Sequence, residues 1–329
     1  VIEKGVPPEG WNSRLGKHAT IYHTREYAEY LEKEGFNVWH SKNGKFLLWS
    51  KKVLFGLITS FSSVYVPPLD ASEARELAQF LKGKNAVISV HPLAADNGEL
   101  GKAGFKKKEW ATFLLDLRRG KEELWAGVDK ATRKIVRRTR EKGVEVRTAE
   151  NEEDYAAYHA VMNENRRRNK VKEYPYSRAF WELFKEAGMG EIFVAELDGR
   201  ILGGLTASLY NDYVNEWGAA LSNKAREEKI YASDAVRWAV IEWARAKGAH
   251  YYDLTGVNPA PRDEKEKGIY RFKEKWGGDF KEYGEYSTSS SVIDFARQVK
   301  RGKILKWPFK SGGNEADHGV DSGRMAGRD

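Results

Sequence analysis

The chain has 329 residues, 41% hydrophobic and 12% aromatic, enough to bury one large or two ordinary cores. It contains no cysteine, which excludes disulfides, thiolate nucleophiles and zinc–cysteine sites, and its seven histidines show no metal-binding spacing, so no metal is expected. A formal charge of +8 points to polyanionic partners such as RNA, anionic lipid or phosphorylated substrates.

The N-terminus, Val1 to Pro8, lacks the basic-then-apolar order of a secretory signal. The longest apolar run, Val53 to Val66, is too short and too polar for a membrane span. A cytoplasmic protein is therefore expected. Thr24 to Gly35 places Tyr27, Tyr30 and Leu31 on one helical face. Val38 to Trp49 and Val53 to Val66 read as two strands parted at Lys51-Lys52, the second ended by Pro67-Pro68. Ala71 to Gly83 reads as an amphipathic helix, Ala86 to Val90 as a buried strand, and Gly104 to Leu117 as a turn feeding another strand. From Arg118 to Gly143, Leu124, Val128, Ile135 and Val136 recur at helical spacing among many lysines and arginines. That pattern is a connecting helix, either simply solvated or contacting phosphates.

The second half repeats the order of the first. Tyr155 to Arg167 and Ser177 to Gly188 read as helices, and Glu191 to Leu197 pairs with Ile201 to Tyr210 across the hairpin signal Asp198-Gly199. Val214 to Ala220 is a further strand, Ala232 to Lys247 a long helix, Tyr251 to Leu254 a buried strand and Gly278 to Tyr286 a last one. Phe55 to Ser60 echoes Gly203 to Ser208, and Gly104 to Trp110 echoes Arg271 to Trp276, which together suggest an internal duplication.

Between the last two strands lies Gly268 to Gly278, read as a strand-to-turn segment: either it sets Lys273 among aromatic rings, where an ammonium meets negative charge developing in a reaction, or Tyr270, Phe272 and Trp276 are core and the lysines face water. Val292 to Lys306 is a basic amphipathic segment, open to packing on the domain or to contact with an anionic membrane surface at the inner membrane face. Ser311 to Asp329 is polar and Gly-rich, and disorder is expected there.

Several stretches, in order, resemble the Fem family of aminoacyl-tRNA-dependent peptidyltransferases, within the GNAT-like acyltransferases. They are Ala111 to Leu117 followed by Leu124-Trp125, Arg133 to Arg138 leading to Gly143-Val144, Tyr252 to Gly256, and Gly268 to Lys273. The resemblance implies an α/β (α+β) fold of two tandem GNAT-like domains, each a mixed twisted sheet flanked by helices. Residues 1–117 would form the first domain, 118–143 the basic connector, 144–290 the second domain, 291–310 a basic amphipathic helix and 311–329 the tail.

It also implies attack by a free amine of a peptide or muropeptide precursor on the ester of an aminoacyl-tRNA, with the tRNA as co-substrate and no cofactor. Lys273 and Phe272 would be catalytic. Tyr270, Arg271, Trp217, Tyr252 and Asp253 would line the substrate, and Lys33, Tyr174, Tyr176 and Arg178 fall in regions suited to the acceptor. Arg133, Arg137 and Arg138 are the tRNA-contact candidates. Acyl-CoA enzymes of the wider class grip a pyrophosphate with a Gly-containing loop that opens a helix; Asn223 to Ala232, at that place, has no glycine and carries Glu227 and Glu228. An acyltransferase using acyl-CoA or an acyl carrier is the alternative, and a non-catalytic basic binding protein is a third reading.

Overall fold

The computed structural model describes residues 2–53 and 58–288. The first half runs β1 (Ile2–Lys4), two short 3-10 turns (Trp11–Arg14 and Ile21–His23), α1 (Arg25–Lys33), β2 (Asn37–Ser41), β3 (Leu47–Val53), β4 (Ile58–Val66), α2 (Ala71–Phe80), β5 (Asn85–Val90), α3 (Glu99–Lys102) and β6 (Lys106–Asp116). Two helices follow, α4 (Lys121–Gly127) and α5 (Lys130–Glu141). The second half repeats the plan: β7 (Glu145–Thr148), α6 (Glu152–Arg168), α7 (Arg178–Trp181) running into a π turn (Glu182–Glu186), β8 (Gly190–Leu197), β9 (Arg200–Tyr210), β10 (Tyr213–Leu221), α8 (Asn223–Glu227), α9 (Ala232–Ala246), β11 (Tyr251–Asp253), α10 (Glu264–Glu274) and β12 (Asp279–Ser287).

The strands join in one mixed sheet of order β1-β2-β3-β4-β5-β12-β6-β11-β10-β9-β8-β7. Read from either end, each half contributes antiparallel neighbours and then one parallel pair, β4/β5 or β10/β11. The last strand of each half is exchanged: β12 pairs with β5, and β6 with β11. Along the middle, β12 and β6 run antiparallel from Asp279↔Leu114 to Ser287↔Lys106. An antiparallel pair maps onto itself under a twofold rotation, so the sheet centre is where a pseudo-twofold relates the halves. The two expected GNAT-like sheets are thus joined into a single one.

Side chains sort into three cores. Leu48, Leu69, Leu77 and Ile88 pack under α2 in the first half. Val136, Leu205, Val236 and Ile241 pack under α5 and α9 in the second. The third is shared, with Tyr27 and Leu31 of α1 meeting Tyr155, Tyr158 and Phe184 of the second half. Among the described residues no helix is long and apolar enough to cross a membrane.

Several boundaries differ from the sequence reading for identifiable reasons. Val38 to Trp49 is two strands, because Asn43-Gly44 makes the hairpin turn, with Gly44 at φ +78°. Lys51-Lys52 stays within β3. The connector is broken in two because Asp129 starts a new helix, its carboxylate accepting from the Thr132 N–H at 3.0 Å. Residues 268–274 are helical, not strand-like: Asp263 caps α10 by accepting from the Glu266 N–H at 2.8 Å, and Glu264 and Glu266 suit the positive end of the helix dipole. One local echo falls on unlike elements, since Gly104 to Trp110 enters β6 whereas Arg271 to Trp276 runs from the end of α10; the likeness of the halves lies in topology. Phe55, Gly56 and Leu57 in the other echo, the amphipathic stretch Val292 to Lys306 and the tail lie outside the described residues.

Candidate active site

β10 and β11 run side by side only at Tyr213↔Tyr251, Val214↔Tyr252 and Asn215↔Asp253. Beyond that point the two strands part. β11 ends and the chain turns through Thr255 in the left-handed region (φ +60°), while β10 bulges between Trp217 and Ala220 with Gly218 at φ +56°. Parallel strands that separate leave a wedge at their C-terminal ends, a recurrent place for ligands in open sheets. Gly218 is required there on two counts. Its backbone is left-handed, and a Cβ would come within 3.1 Å of the Tyr158 hydroxyl and 3.2 Å of the Met162 sulfur.

α10 delivers Lys273 to this wedge. Phe272 and Lys273 are the buried residues of α10, buried Trp276 follows just past its end, and Lys273 is 3% exposed. Its ammonium donates to the Thr255 carbonyl at 3.1 Å, the Gly256 carbonyl at 3.2 Å and the Thr255 hydroxyl at 3.5 Å. The charge is therefore held beneath the turn that leaves β11, removed from bulk solvent. Gly256 lies hard against Trp110, where a Cβ would sit 2.1 Å from the indole nitrogen.

Phe272 is covered by two cations, the Arg237 guanidinium 4.7 Å and the Lys275 ammonium 4.2 Å from its ring centre. Arg237 grips Glu216 with two N–H groups, Nη2 to Oε2 at 3.0 Å and Nε to Oε1, and the Tyr252 hydroxyl donates to the same Oε1 at 2.5 Å. Both charged groups are buried. Sequence reasoning missed Glu216 and Arg237. Their signal is a charge set inside an apolar run, Glu216 within Tyr213 to Leu221 and Arg237 on the apolar stripe of α9.

Asp253 is fully buried at the end of β11 and accepts from five groups: the Tyr65 hydroxyl (2.5 Å), the Thr112 hydroxyl (2.5 Å), the Tyr213 hydroxyl (2.9 Å), the Thr255 N–H (2.7 Å) and, at 3.4 Å, the Asn215 side-chain amide. Burial pushes its carboxyl up from the usual range, and these hydrogen bonds pull it back. Burial, with the Asp253 charge next, drives the Tyr65 and Tyr213 hydroxyls well above their ordinary value, so they stay protonated donors. Asp253 thus ties β4 and β6 of the first half to β10 and β11, and contacts no solvent.

The other expected positions are scattered. Trp217 is fully buried, stacked on Tyr22 with its indole N–H on Ser208, so it is core. Tyr270 packs on Phe113 and Phe280, and exposed Arg271 pairs with Glu264 at 3.7 Å. Lys33 and Arg178 do come together, across Glu182, at 2.6 and 3.4 Å. Tyr176 and Arg178 share Glu152, and Tyr174 is covered by Arg166 3.5 Å from its ring centre. Acidic partners already balance this surface. Arg133 donates from Nη1 to the carbonyls of Ala126 (2.6 Å) and Val128 (2.7 Å), closing the end of α4, so its guanidinium is committed to the backbone. Arg137 and Arg138 are exposed.

The N-terminus of α9, where a pyrophosphate would dock in an acyl-CoA enzyme, carries Asp234 in its first turn. That carboxylate is buried and accepts from the Lys275 ammonium at 2.8 Å. The positive end of the helix already faces a negative charge.

Residues 128–274 match the acetyltransferase (GNAT) domain family. No curated protein matches the chain by sequence. Three solved structures share its fold. FemX is 17% identical, covering 90% of this chain and 99% of its own, with a TM-score of 0.66. L-PGS from Bacillus licheniformis is 15% identical, covering 92% and 99%, with a TM-score of 0.63. The C-terminal domain of a putative lysylphosphatidylglycerol synthetase from Agrobacterium fabrum is 13% identical, covering 89% and 96%, with a TM-score of 0.59.

Proposed function

From a Fem-like GNAT fold in which β10 and β11 part, we propose that this chain transfers an aminoacyl group from the ester of an aminoacyl-tRNA to a free amine of a peptide acceptor. In that reaction the amine attacks the ester carbonyl, a C–N bond forms, the C–O bond breaks, and the amine's proton ends on the ribose hydroxyl that leaves. An ester is already activated, so the protein's tasks are positioning and stabilising the oxyanion. The observation that carries the reading is the buried Lys273 ammonium under the Thr255–Gly256 turn, at the point where β10 and β11 part. That buried positive charge supports the reading, because it holds the backbone at the mouth of the wedge, where the reading puts the developing oxyanion. The chain's charge of +8 suits a tRNA donor.

Lys273→Met tests this. It is expected to leave the protein folded and to lower single-turnover transfer from charged tRNA by about a hundredfold or more; near-normal transfer would sink the assignment. The second reading, an acyl-CoA donor, is favoured by the GNAT domain match over residues 128–274 and opposed by the carboxylate at the start of α9. Ribonuclease treatment separates the two, because it abolishes only transfer from tRNA.

A further inference from the structure

A pocket of about 250 Å3 opens where β10 and β11 begin, at the opposite end of these strands from the wedge. Lys17, His18, His91, Asp212 and His250 line it, with Tyr213 as a wall. It is built rather than incidental. The Asn211 side chain donates to the Ala19 carbonyl at 3.1 Å, fastening the Lys17–His18 loop to the β9–β10 turn. The N–H groups of His250 and Tyr251 both donate to the Asp212 carbonyl, at 2.8 and 3.0 Å, and His250 Nδ1 lies 2.7 Å from the Asp212 carboxylate.

The telling group is His91, which follows β5 and is wholly buried. Its Nδ1 accepts from the Leu93 N–H at 3.0 Å, so a neutral ring carries its proton on Nε2. That buried Nε2–H has no hydrogen-bond partner among the described residues. The ring is fixed by edge contacts with Tyr213 (4.8 Å between centres) and Tyr65 (5.3 Å), and His18 lies 5.4 Å away. A donor locked in place against a polar cavity calls for an oxygen acceptor, and exposed Lys17 at the rim supplies a positive charge.

We propose that this pocket binds an oxyanion, a carboxylate or phosphate group, which accepts from His91 Nε2–H while Lys17 balances its charge. The volume is below the range of about 300–1,000 Å3 usual for whole small-molecule ligands, so the pocket takes one group of a larger molecule. The proposal goes beyond the transferase reading and does not rest on it. The pocket and the wedge still share a support, since Tyr65 and Tyr213, which hold the His91 ring, both donate to Asp253.

The test is binding without turnover. The full chain is titrated with inorganic phosphate and, separately, with acetate, while the imidazole resonances of His91 and His18 are followed by NMR. At least one anion is expected to produce a saturable shift at millimolar concentration, weakened about tenfold in Lys17→Met, whose exposed position leaves folding intact. A response to phosphate alone assigns a phosphate group, to acetate alone a carboxylate, and to both an oxyanion site that does not discriminate. No saturable shift with either, as expected if water alone satisfies Nε2, overturns the proposal. So does an unchanged affinity in Lys17→Met.

Discussion

The parallel pairs β4/β5 and β10/β11 hold equivalent places in the two halves, yet they end differently. Each is marked by a left-handed residue in its longer strand, Tyr65 at φ +56° and Gly218 at φ +56°. After Tyr65 the first-half strands rejoin, with Val66 opposite Val90 and the His91 N–H donating to the Val66 carbonyl at 3.1 Å. The Tyr65 ring is packed against Tyr22, His91, Tyr213 and Tyr283. After Gly218 the second-half pair does not rejoin among the described residues, and Lys273 props the departing turn. A bulge alone therefore does not make a site. The halves differ in what fills the space beside it: aromatic rings close the first wedge, while buried charges line the second.

If paired charge holds the open wedge, removing one partner should have the largest effect. Arg237→Met strands the Glu216 carboxylate beside Tyr252, and is expected to cost about 3–5 kcal/mol in urea unfolding, because a buried ion without its partner keeps its desolvation penalty. Glu216→Leu added to Arg237→Met should recover most of that loss. A single variant as stable as the parent would break the contrast between a charged and an aromatic lining.

The closed wedge should instead be sensitive to acid. Burial pushes the buried His23 down to about 4 and His91 well below the ordinary histidine value. In the unfolded chain a histidine titrates near 6.5. Between pH 6.5 and 4 the unfolded state binds a proton that folded His23 refuses, so stability is full above 6.5 and falls as the pH drops. His23 alone should account for about 3 kcal/mol by pH 4. His23→Gln is expected to flatten this slope, read from urea midpoints at several pH values; an unaltered slope would place the acid sensitivity elsewhere.

The pattern of what the sequence revealed follows the same division. Local rules found the hairpin at Asp198-Gly199 and most strands and helices, because those depend on neighbours a few residues apart. They missed the Asn43-Gly44 turn, where a run of β-branched and aromatic residues hid a hairpin signal. They also took α10 for extended chain, since its aromatic content outweighed the cap at Asp263. The resemblance picked out Lys273 and Asp253, which the structure sets on either side of Thr255, but not their partners. Tyr65 and Thr112 reach Asp253 from 188 and 141 residues away, and no periodicity spans such distances. Palindromic pairing was likewise hidden, because strand exchange between β6 and β12 is a property of the assembled sheet.

A finer test of how the two wedges are joined is Tyr65→Phe, which keeps the ring and the closed first wedge but removes one donor from Asp253. It is expected to cost about 1.5–3 kcal/mol, the range for a hydrogen bond to a charged group. Measured with and without Asp253→Asn, the loss should shrink in the second background if the two act as a pair. Equal losses in both would mean that the hydroxyl contributes independently of the Asp253 carboxylate.

The smallest effect on the fold belongs to the connector, which packs on the open half through α5 and α9. Arg133 is spent on the carbonyls that end α4, whereas Arg137 and Arg138 face outward from the same helix. Reversing the outward pair, as Arg137→Glu with Arg138→Glu, should leave unfolding unchanged. If this face contacts tRNA phosphates, the reversal should weaken binding and reduce the slope of log affinity against log salt by about 2 in magnitude, roughly one per lost contact. Arg133→Ala should do the reverse, loosening the α4–α5 junction while leaving the salt slope alone. An unchanged slope in the double reversal would remove α5 from the tRNA-contact surface and leave the transfer chemistry at the wedge to be judged separately.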